Sequence, residues 1–359
     1  MKTIMIFVPF MTGYGGTETV IKNLFAEYNK KDDQKTPKLI LSSIGGTINQ
    51  NWLKDIKNLQ VINLSRHKLI RKGEYLLSLF FILNHQIRKK RPQIVISNSY
   101  IIWYCLTLLK RIFKYEYQVL AWYHFSLESH QVPPKFLKAA DGYLVISTGI
   151  SHQLQQYGIP DEKINVIFNP INKTDNAVAR SQPDTPTEFL YVGRVMLFGQ
   201  KNLHELFDAL NQVSGSWHLT IYGVGEIAAA QAYVDKLDMT ELVDFKGFSA
   251  NLWSKIKVCD ALVLTSVFEG LPMVLNEAIS NGIPVISSDC DTGPDDIVNV
   301  DNGFLYKSGQ TTQLTAELQK FVSRTVDFTD DEKIKQSIRK FYSDNYFDVF
   351  MQALNKYME

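Results

Sequence analysis

Two glutamates, Glu269 and Glu277, stand with seven residues between them in the apolar stretch "SVFEGLPMVLNEAISNGIPVISSD". A carboxylate is costly to bury without a partner. Sugar and ribose hydroxyls are suitable partners, because an ionised carboxylate only accepts hydrogen bonds. The predicted strand "DALVLTS" ends just before Glu269, and a helix that carries Glu277 follows, so we expect both side chains on one side of a ligand site. The alternative is a helix-capping Glu and a surface Glu.

The loop between these glutamates adds backbone donors to the predicted site. Gly270 and Leu271 can offer N–H groups to a bound hydroxyl. Pro272 suits the first position of the helix, where its missing N–H costs nothing. We therefore expect the backbone of this loop to orient a ligand beside Glu269.

Two cations follow another predicted strand, "EFLYVG". Arg194 comes directly after this strand, and Lys201 lies seven residues later, near the start of the next helix. Two cations and a helix N-terminus at one place are suited to binding a pyrophosphate. The alternative is a solvated pair of surface charges.

A glycine loop and a histidine follow strands of the first half. Gly13, Gly15 and Gly16 open a helix at about Thr17, where backbone N–H groups can approach an anion. The loop is not the G-x-G-x-x-G dinucleotide pattern, and glycines that only permit a turn explain it equally well. His124 follows the strand "YQVLAWY" and can hydrogen-bond a polar substrate, although a lone histidine is more often structural.

Continuous apolar runs alternate with helical patterns along the chain, and this alternation occurs twice. It is typical of parallel sheets that are covered on both faces. The runs that we expect to be strands are 3–10, 38–44, 60–64, 93–99, 117–124, 142–147, 164–169, 188–194, 218–223, 243–247, 260–266 and 283–289. The sequence therefore predicts an α/β protein with two doubly wound, Rossmann-like domains and a ligand cleft between them at the carboxyl ends of the strands.

The predicted boundaries follow from composition. Residues 1–170 form an N-terminal domain, and the polar, proline-containing segment 171–187 is a linker. Residues 188–340 form a C-terminal domain. Residues 341–359 form a last helix, which can pack back on the N-terminal domain.

Charge is unevenly distributed between the two halves. Residues 1–170 contain 22 Lys and Arg against 11 Asp and Glu, and residues 171–359 contain 16 against 26, although the formal net charge is only +1. The halves should therefore have different partners. Nucleic acid is not expected, since the aromatic signature of an RNA-recognition sheet and zinc-finger spacings are missing. Three scattered cysteines indicate a reducing compartment.

The segment 65–92, "SRHKLIRKGEYLLSLFFILNHQIRKKRP", carries eight Lys and Arg against one acid, Glu74. One interpretation is a core helix, Leu76–Leu83, with solvated charged ends. The other is a basic face that docks on the anionic inner leaflet. The apolar run Tyr75–Leu83 is about half as long as a membrane span. We expect a cytoplasmic protein that can attach peripherally to the inner face of the membrane.

Five motifs occur in a fixed order over nearly the whole chain: "GGTE", the His after a first-domain strand, "GRVMLFGQKN", "FEGLPMVLNE", and "SSDCDTGPDDIV" followed by "NGFLY". Together they resemble the retaining glycosyltransferases of family four, which have the GT-B fold. The E-x7-E followed by G-x-P-V is quite specific to that family. The stretches "VGRVMLFGQKNLHELFDAL" and "WYHFSLES" are most similar to the bacterial lipopolysaccharide α-1,6-galactosyltransferases.

The resemblance implies that the domain 1–170 binds the acceptor and that the domain 188–340 binds the nucleotide sugar. It also implies a role for each predicted site residue. Glu269 binds hydroxyls of the donor sugar and supports the charge that develops at the anomeric carbon, and Glu277 binds the nucleotide ribose. Arg194 and Lys201 hold the diphosphate as it leaves. His124 contacts the donor sugar near the reaction.

The glycine-containing loops receive binding roles by the same resemblance. Gly15 and Gly16 approach the donor phosphate or the acceptor, and the backbone of Gly270, Leu271 and Pro272 orients the sugar. The chain departs from the family pattern at Asp295-Asp296, where Arg-Glu is common. This change leaves the identity of the donor sugar open.

No metal and no cofactor are expected beyond the UDP-sugar co-substrate. Asp289, Cys290 and Asp291 formally make a D-x-D motif, which holds a divalent cation in other glycosyltransferases. Because Arg194 and Lys201 already supply positive charge, we prefer the metal-independent interpretation.

The predicted function is retaining transfer of a hexose, galactose or glucose in type, from a UDP-sugar to a saccharide or lipid-linked saccharide. The process served is the synthesis of cell-envelope polysaccharide or lipopolysaccharide. The alternatives are a sugar-nucleotide epimerase on the same fold and a catalytically silent carbohydrate-binding homologue. Hydrolysis is disfavoured, since no carboxylate pair at hydrolase spacing is evident.

Overall fold

The computed structural model describes residues 2–31 and 36–358. The chain forms two compact units, one made of the residues up to Ile171 and from Tyr342 onward, the other of Asn172–Phe341. Each unit has its own parallel sheet. The predicted class, α/β with two doubly wound Rossmann-like units, is confirmed.

The first unit is built on a seven-stranded sheet in the order β3-β2-β1-β4-β5-β6-β7, with parallel pairing throughout. Its strands are β1 (Thr3–Val8), β2 (Lys38–Gly45), β3 (Leu59–Asn63), β4 (Ile94–Ser97), β5 (Gln118–Tyr123), β6 (Gly142–Val145) and β7 (Ile164–Val166). The helices between them are α1 (Gly16–Lys30), α2 (Lys68–Lys90), α3 (Tyr100–Phe113), α4 (Pro134–Leu137) and α5 (Thr148–Gln156). The apolar run of β1 is almost wholly buried, as expected of a sheet covered on both faces.

The second unit repeats this plan with six parallel strands in the order β10-β9-β8-β11-β12-β13. Its strands are β8 (Thr187–Val192), β9 (Trp217–Tyr222), β10 (Val243–Gly247), β11 (Ala261–Leu264), β12 (Val285–Asp289) and β13 (Gly303–Lys307). Its helices are α6 (Leu203–Leu210), α7 (Ile227–Lys236), α8 (Leu252–Lys255), α9 (Met273–Ser280), α10 (Pro294–Ile297), α11 (Thr311–Val322) and α12 (Asp331–Gln336).

The strand order reverses once in each sheet, between β1 and β4 and between β8 and β11. In open α/β sheets, ligands bind outside the carboxyl ends of the strands at such a reversal. The residues after β1 and β4, and those after β8 and β11, are therefore the positions at which a site is expected in each unit.

Strand β13 was not among the strands predicted from the sequence. It pairs in parallel with β12 along Gly303–Lys307 at the edge of the sheet. Phe304 and Leu305 are only half-buried, so the segment lacks the continuous apolar run by which the inner strands were recognised.

The polar segment 171–187, expected to be a linker, belongs to the second unit from Asn172 onward. Val178 is buried and its N–H donates to the Asn281 carbonyl at 3.1 Å. Arg180 donates to the carbonyl of Cys259 at 3.2 Å and pairs with Asp331 at 3.3 Å. Val178 and Arg180, together with the Ser181 hydroxyl, which donates to Asp260 Oδ2 at 2.5 Å, thus help to hold a segment that shows no periodicity.

The last helix, α13 (Ser343–Asn355), returns to the first unit, where it packs against α1. Phe350 is fully buried, and its ring lies 6.0 Å from that of Trp122 in β5. A parallel bridge between Ile171 and Tyr342 joins the two ends of this unit.

Helix α2 fits the interpretation of Leu76–Leu83 as a core helix only in part. Leu79 and Leu83 are buried, whereas Leu76, Leu77 and Phe81 are exposed. Within residues 2–31 and 36–358, no helix has both the length and the apolarity that crossing a bilayer requires.

Candidate active site

In the second unit, Lys201 and Glu269 form an ion pair at the carboxyl edge of the sheet. Lys201 Nζ donates to Glu269 Oε1 at 2.5 Å, and the two side chains are only 13% and 11% exposed. The loops that carry them are also joined by two hydrogen bonds. Thr265 Oγ1 donates to the Lys201 carbonyl at 2.9 Å, and the Val267 N–H donates to the Gln200 carbonyl at 2.8 Å. Two predicted residues far apart in sequence are thus in contact, because β8 and β11 are neighbours.

Arg194 reaches the same loops through Gln200. Its exposed guanidinium donates to the side-chain oxygen of Gln200, and the Gln200 amide donates to the Phe268 carbonyl at 3.1 Å. The Tyr191 hydroxyl donates to the Arg194 carbonyl at 2.8 Å, which fixes the backbone after β8. Arg194 and Lys201 therefore flank one loop without sharing a partner.

The two cations differ in how their charge is balanced. Lys201 is neutralised by Glu269, whereas Arg194 makes its side-chain bond to a neutral amide. Helix α6 begins two residues after Lys201, and helix N-termini favour anions. The arrangement can hold a diphosphate at one end and hydroxyl groups at the Glu269 carboxylate.

The backbone after Glu269 is fixed from the other side. Gly270 is half-buried, Leu271 and Pro272 are buried, and Pro272 precedes α9 rather than opening it. The hydroxyl of Thr292 donates to the Glu269 carbonyl. This loop therefore has a defined shape in which its N–H groups can meet a ligand.

Gly293 makes that close packing possible. Its φ is +99°, and a Cβ there would lie 2.8 Å from both the Gly270 carbonyl oxygen and Pro272 Cδ. Only glycine combines this backbone angle with such an approach.

Glu277 lies half-buried in α9 and has its own partner. The Trp253 indole N–H donates to Glu277 Oε2 at 3.2 Å. Burial raises the pKa of the Glu277 carboxyl, and the indole hydrogen bond opposes that rise in part. A ligand hydroxyl that donated to Glu277 would stabilise its charged form further.

In the first unit, a carboxylate organises the glycine loop after β1. Gly15 caps α1, and Gly16 is its first residue. Glu18 is buried and accepts from the N–H of Gly13 at 2.8 Å and from Thr12 Oγ1 at 3.4 Å. A Cβ on Gly15 would lie 2.6 Å from Glu18 Oε2. Glu18 thus occupies part of the space that an anion would need at this helix terminus.

His124 is buried at the carboxyl end of β5, with its ring 4.8 Å from that of Trp122. Burial lowers the pKa of His124 to about 3, so the imidazole is neutral at physiological pH. Within the part of the chain that the structure describes, His124 Nε2 has no hydrogen-bond partner. A buried polar atom of this kind is costly, and a ligand hydroxyl would satisfy it.

The D-x-D residues follow β12. Asp289 and Asp291 are exposed. The pKa of Asp289 is raised by partial burial and then by the negative charges of Asp295 and Asp291. Among the described residues, no three or more His, Cys, Asp or Glu side chains are grouped so as to hold a metal ion.

Several structural partners were not predicted from the sequence. Gln200, Trp253 and Thr292 each touch a predicted residue, yet each is a common residue type without a motif of its own. Glu18 did have a signal, since it lies three residues after the glycine that caps α1, the position at which a glutamate commonly returns to a helix cap.

Comparison with known proteins gives consistent results for the two units. Residues 14–175 match the family model described as Glycosyltransferase Family 4, and residues 172–345 match the one described as Glycosyl transferases group 1. The lipopolysaccharide 1,6-galactosyltransferase of Escherichia coli K12 is 32% identical over 358 residues, which cover 96% of this chain and 97% of that protein.

Solved structures share the fold over the whole chain. The lipopolysaccharide outer core galactosyltransferase WaaB, in its apo form, is 31% identical with a TM-score of 0.86, covering 99% of each chain. Anabaena HepE in complex with UDP has a TM-score of 0.79 at 16% identity, covering 99% of this chain and 100% of that one.

Proposed function

Because the chain belongs to the family-four glycosyltransferases, which have the GT-B fold, we propose that it transfers a hexose from a UDP-sugar to a saccharide or lipid-linked saccharide. Galactose or glucose is the sugar type, and lipopolysaccharide or another cell-envelope polysaccharide is the product. The observation that carries this proposal is the Lys201–Glu269 ion pair at the reversal point of the second sheet. It offers a cation for a leaving diphosphate next to a carboxylate for sugar hydroxyls.

Galactose is the first donor to consider. The E. coli protein that matches 96% of this chain is a 1,6-galactosyltransferase, and WaaB is also a galactosyltransferase. HepE, which shares the fold, was solved with UDP. The exposed Asp295 stands where family members often have Arg, so the transfer assay compares galactosyl and glucosyl donors.

In the proposed donor site, residues of the second unit contact the ribose, the diphosphate and the sugar of the donor. Glu277 accepts from a ribose hydroxyl, Arg194 and Lys201 contact the diphosphate, and Glu269 accepts from hydroxyls of the sugar. The N–H groups of the 270–272 loop complete the sugar contacts. Lys201 and Glu269 are already paired and mostly buried, so little reorganisation precedes the reaction.

We propose that the anomeric configuration of the donor is retained. The bond between the anomeric carbon and the β-phosphate oxygen breaks, and the acceptor oxygen bonds to that carbon on the same face. The acceptor proton passes to the departing phosphate, and UDP is released. Arg194 and Lys201 stabilise the charge that grows on the diphosphate, as preorganised cations do at developing charge.

The first unit is the proposed place of the acceptor. His124, to which the resemblance gives a contact with the donor sugar, is neutral, and its buried Nε2 has no partner among the described residues. It therefore serves as a hydrogen-bonding group for a sugar hydroxyl rather than as a cation. Gly15 and Gly16 allow close approach of a phosphate or an acceptor. Their helix terminus is shared with the Glu18 carboxylate.

We also propose that the reaction is metal-independent and takes place in the cytoplasm, at the inner face of the membrane. Side-chain cations at the diphosphate take the part that a divalent ion plays in other glycosyltransferases. The acceptor of a lipopolysaccharide-synthesising enzyme is attached to lipid, and the basic first unit suits an anionic membrane surface.

The test is incubation of the purified chain with UDP-galactose, UDP-glucose and their N-acetyl forms, with and without lipopolysaccharide of stepwise truncated core. We expect UDP release that depends on the acceptor, and a product whose new linkage has the α configuration by NMR. Glu269→Gln is the inactive control. A sugar that changes configuration without acceptor would identify an epimerase. If no donor gives UDP release or a thermal shift, the chain is a silent homologue.

A further inference from the structure

Helix α2 exposes large apolar side chains along one side. Leu69, Leu76, Leu77 and Phe81 are 80%, 85%, 79% and 71% exposed. Residues separated by seven, eight or four positions lie on the same side of a helix. Exposed apolar groups that form a continuous patch mark an interaction surface, whereas scattered ones need no explanation.

The exposed side of α2 continues onto the end of α3. Phe80 contacts both Phe81, with ring centroids 6.2 Å apart, and Phe113 of α3, at 6.4 Å. Phe113 is 46% exposed, and its neighbour Ile112 is 61% exposed. We call this surface, formed by α2 and the last turn of α3, the α2–α3 face.

Positive charge surrounds the α2–α3 face. At the ends of α2, eight basic residues occur against the single acid Glu74, whose carboxylate accepts from the Ser65 N–H at 2.6 Å. Arg111 and Lys114 add two exposed cations at the end of α3, near the exposed Glu116. The basic residues on α2 and its flanks are Arg66, Lys68, Arg71, Lys72, Arg88, Lys89, Lys90 and Arg91.

Two basic cavities open at the ends of this face. One, of about 600 Å³, is lined by Lys68, Arg71 and Lys72 together with Phe10 and other apolar groups. The Arg71 guanidinium lies 3.6 Å from the centre of the Phe10 ring and donates to the carbonyls of Ser65 and Arg66. Arg71 is therefore held in place before any ligand arrives.

The other cavity, of about 540 Å³, is lined by Arg88, Arg91 and Lys114 and by one acid, Glu116. Each cavity thus places three cations beside the exposed apolar side chains of the α2–α3 face. A guanidinium and ammonium groups at such spacing suit a phosphate group.

We propose that the α2–α3 face docks on an anionic lipid bilayer, with Leu76, Leu77 and Phe81 in the acyl boundary and lipid phosphates in the two basic cavities. A helix of 23 residues is about 34 Å long and can lie in the plane of the interface. A soluble partner would need an acidic surface with a matching apolar groove, whereas an anionic bilayer supplies negative charge and apolar depth everywhere.

Docking in this way would bring the acceptor side of the first unit to the membrane. Pro9 and Phe10, which line the first cavity, directly follow β1, and Gly15 and Gly16 come next in the same segment. The link to a lipid-attached acceptor rests on the proposed function. The docking itself does not, and vesicle binding measures it without any activity.

The experiment is co-sedimentation of the full chain with phosphatidylcholine vesicles that contain increasing phosphatidylglycerol. Binding should rise with anionic lipid and fall between about 0.1 M and 1 M salt, because the Debye length shortens from about 10 Å to about 3 Å. Arg88→Ser/Lys89→Ser/Lys90→Ser should weaken binding about 100-fold, since each basic residue near the surface strengthens binding about fivefold.

Two further variants separate the contribution of apolar insertion from that of positive charge. Leu76→Ser/Leu77→Ser/Phe81→Ser should weaken binding at least tenfold at both salt concentrations, because apolar insertion is not screened. The matched control, Lys236→Ser/Lys255→Ser/Lys257→Ser, removes three exposed cations from the second unit and should bind as wild type. Circular dichroism checks that each variant is folded.

Three results would overturn the proposal. One is equal binding to neutral and anionic vesicles, or none to either. Another is wild-type binding by both α2 variants. The third is a concentration-dependent dimer that is lost in the apolar variant while no vesicle binding is seen, which would assign the face to a second copy of the chain. Loss of transfer activity with intact docking would instead refute only the proposed function.

Discussion

The Lys201–Glu269 ion pair allows its structural and catalytic roles to be separated by a double-mutant cycle. The variants are Lys201→Met, Glu269→Gln and the combination of the two. Each single change leaves one partner of a pair that is only 13% and 11% exposed and 2.5 Å apart. Removing one member of a buried pair costs about 3–5 kcal/mol. Since some water reaches this pair, we expect each single variant to lose about 2–3 kcal/mol of unfolding free energy.

The double variant leaves no unpaired charge, so its loss of stability should be smaller than the sum of the single losses by about 1–3 kcal/mol. Turnover should behave differently. If Lys201 stabilises the leaving diphosphate, its loss lowers kcat by about 10²–10³, and removing Glu269 as well cannot restore it. Urea unfolding and acceptor-dependent UDP release measure the two quantities on the same preparations.

The matched control is Lys246→Met, which breaks an exposed pair of the same unit, Lys246–Asp244, also with a short distance of 2.6 Å. It should leave turnover and the urea midpoint unchanged, because exposed ion pairs contribute little. Recovery of kcat together with stability in the double variant would refute the catalytic role. The pair would then only hold two loops together.

Three further predictions concern pH, backbone and metal. Burial lowers the pKa of His124 to about 3 from an ordinary 6.5, so the unfolded chain binds a proton that the folded chain does not, and stability should fall by roughly 2 kcal/mol between pH 7 and pH 5. His124→Asn should flatten that dependence in urea titrations at both pH values. Gly293→Ala should cost about 1–3 kcal/mol and lower kcat/KM, whereas Gly309→Ala, also at positive φ but with open space around it, should cost less and keep activity. Transfer should persist in EDTA. Transfer that depends on Mn²⁺ and is lost in Asp289→Asn would contradict metal independence.

The fold was predictable where the chain carries continuous apolar runs. The buried residues of β1 and β11 were recognisable because inner parallel strands contact helices on both faces. Strand β13 was not predicted, because it lies at an edge of the sheet and is half-buried. For helix α2 the sequence left a core helix and an exposed face both open, since Leu76 and Leu77 follow a pattern that a buried helix shares with an exposed one.

The candidate site could be predicted as a set of residue types and not as a geometry. The motifs identified Lys201 and Glu269 separately, and their contact depends on β8 and β11 being neighbours, which strand order alone decides. The shifted pKa of His124 depends on the depth of its burial, which no local pattern reports. Gln200 and Trp253 are found only from coordinates, because their importance lies in what they touch.

The return of helix α13 to the first unit has a consequence for biosynthesis. The second unit is one uninterrupted stretch, whereas the first requires both ends of the chain. On the ribosome, the N-terminal segment must therefore wait for the final residues before Phe350 can cover Trp122. During that interval an apolar surface stays open to chaperones and to aggregation, and the second unit can finish folding before the first.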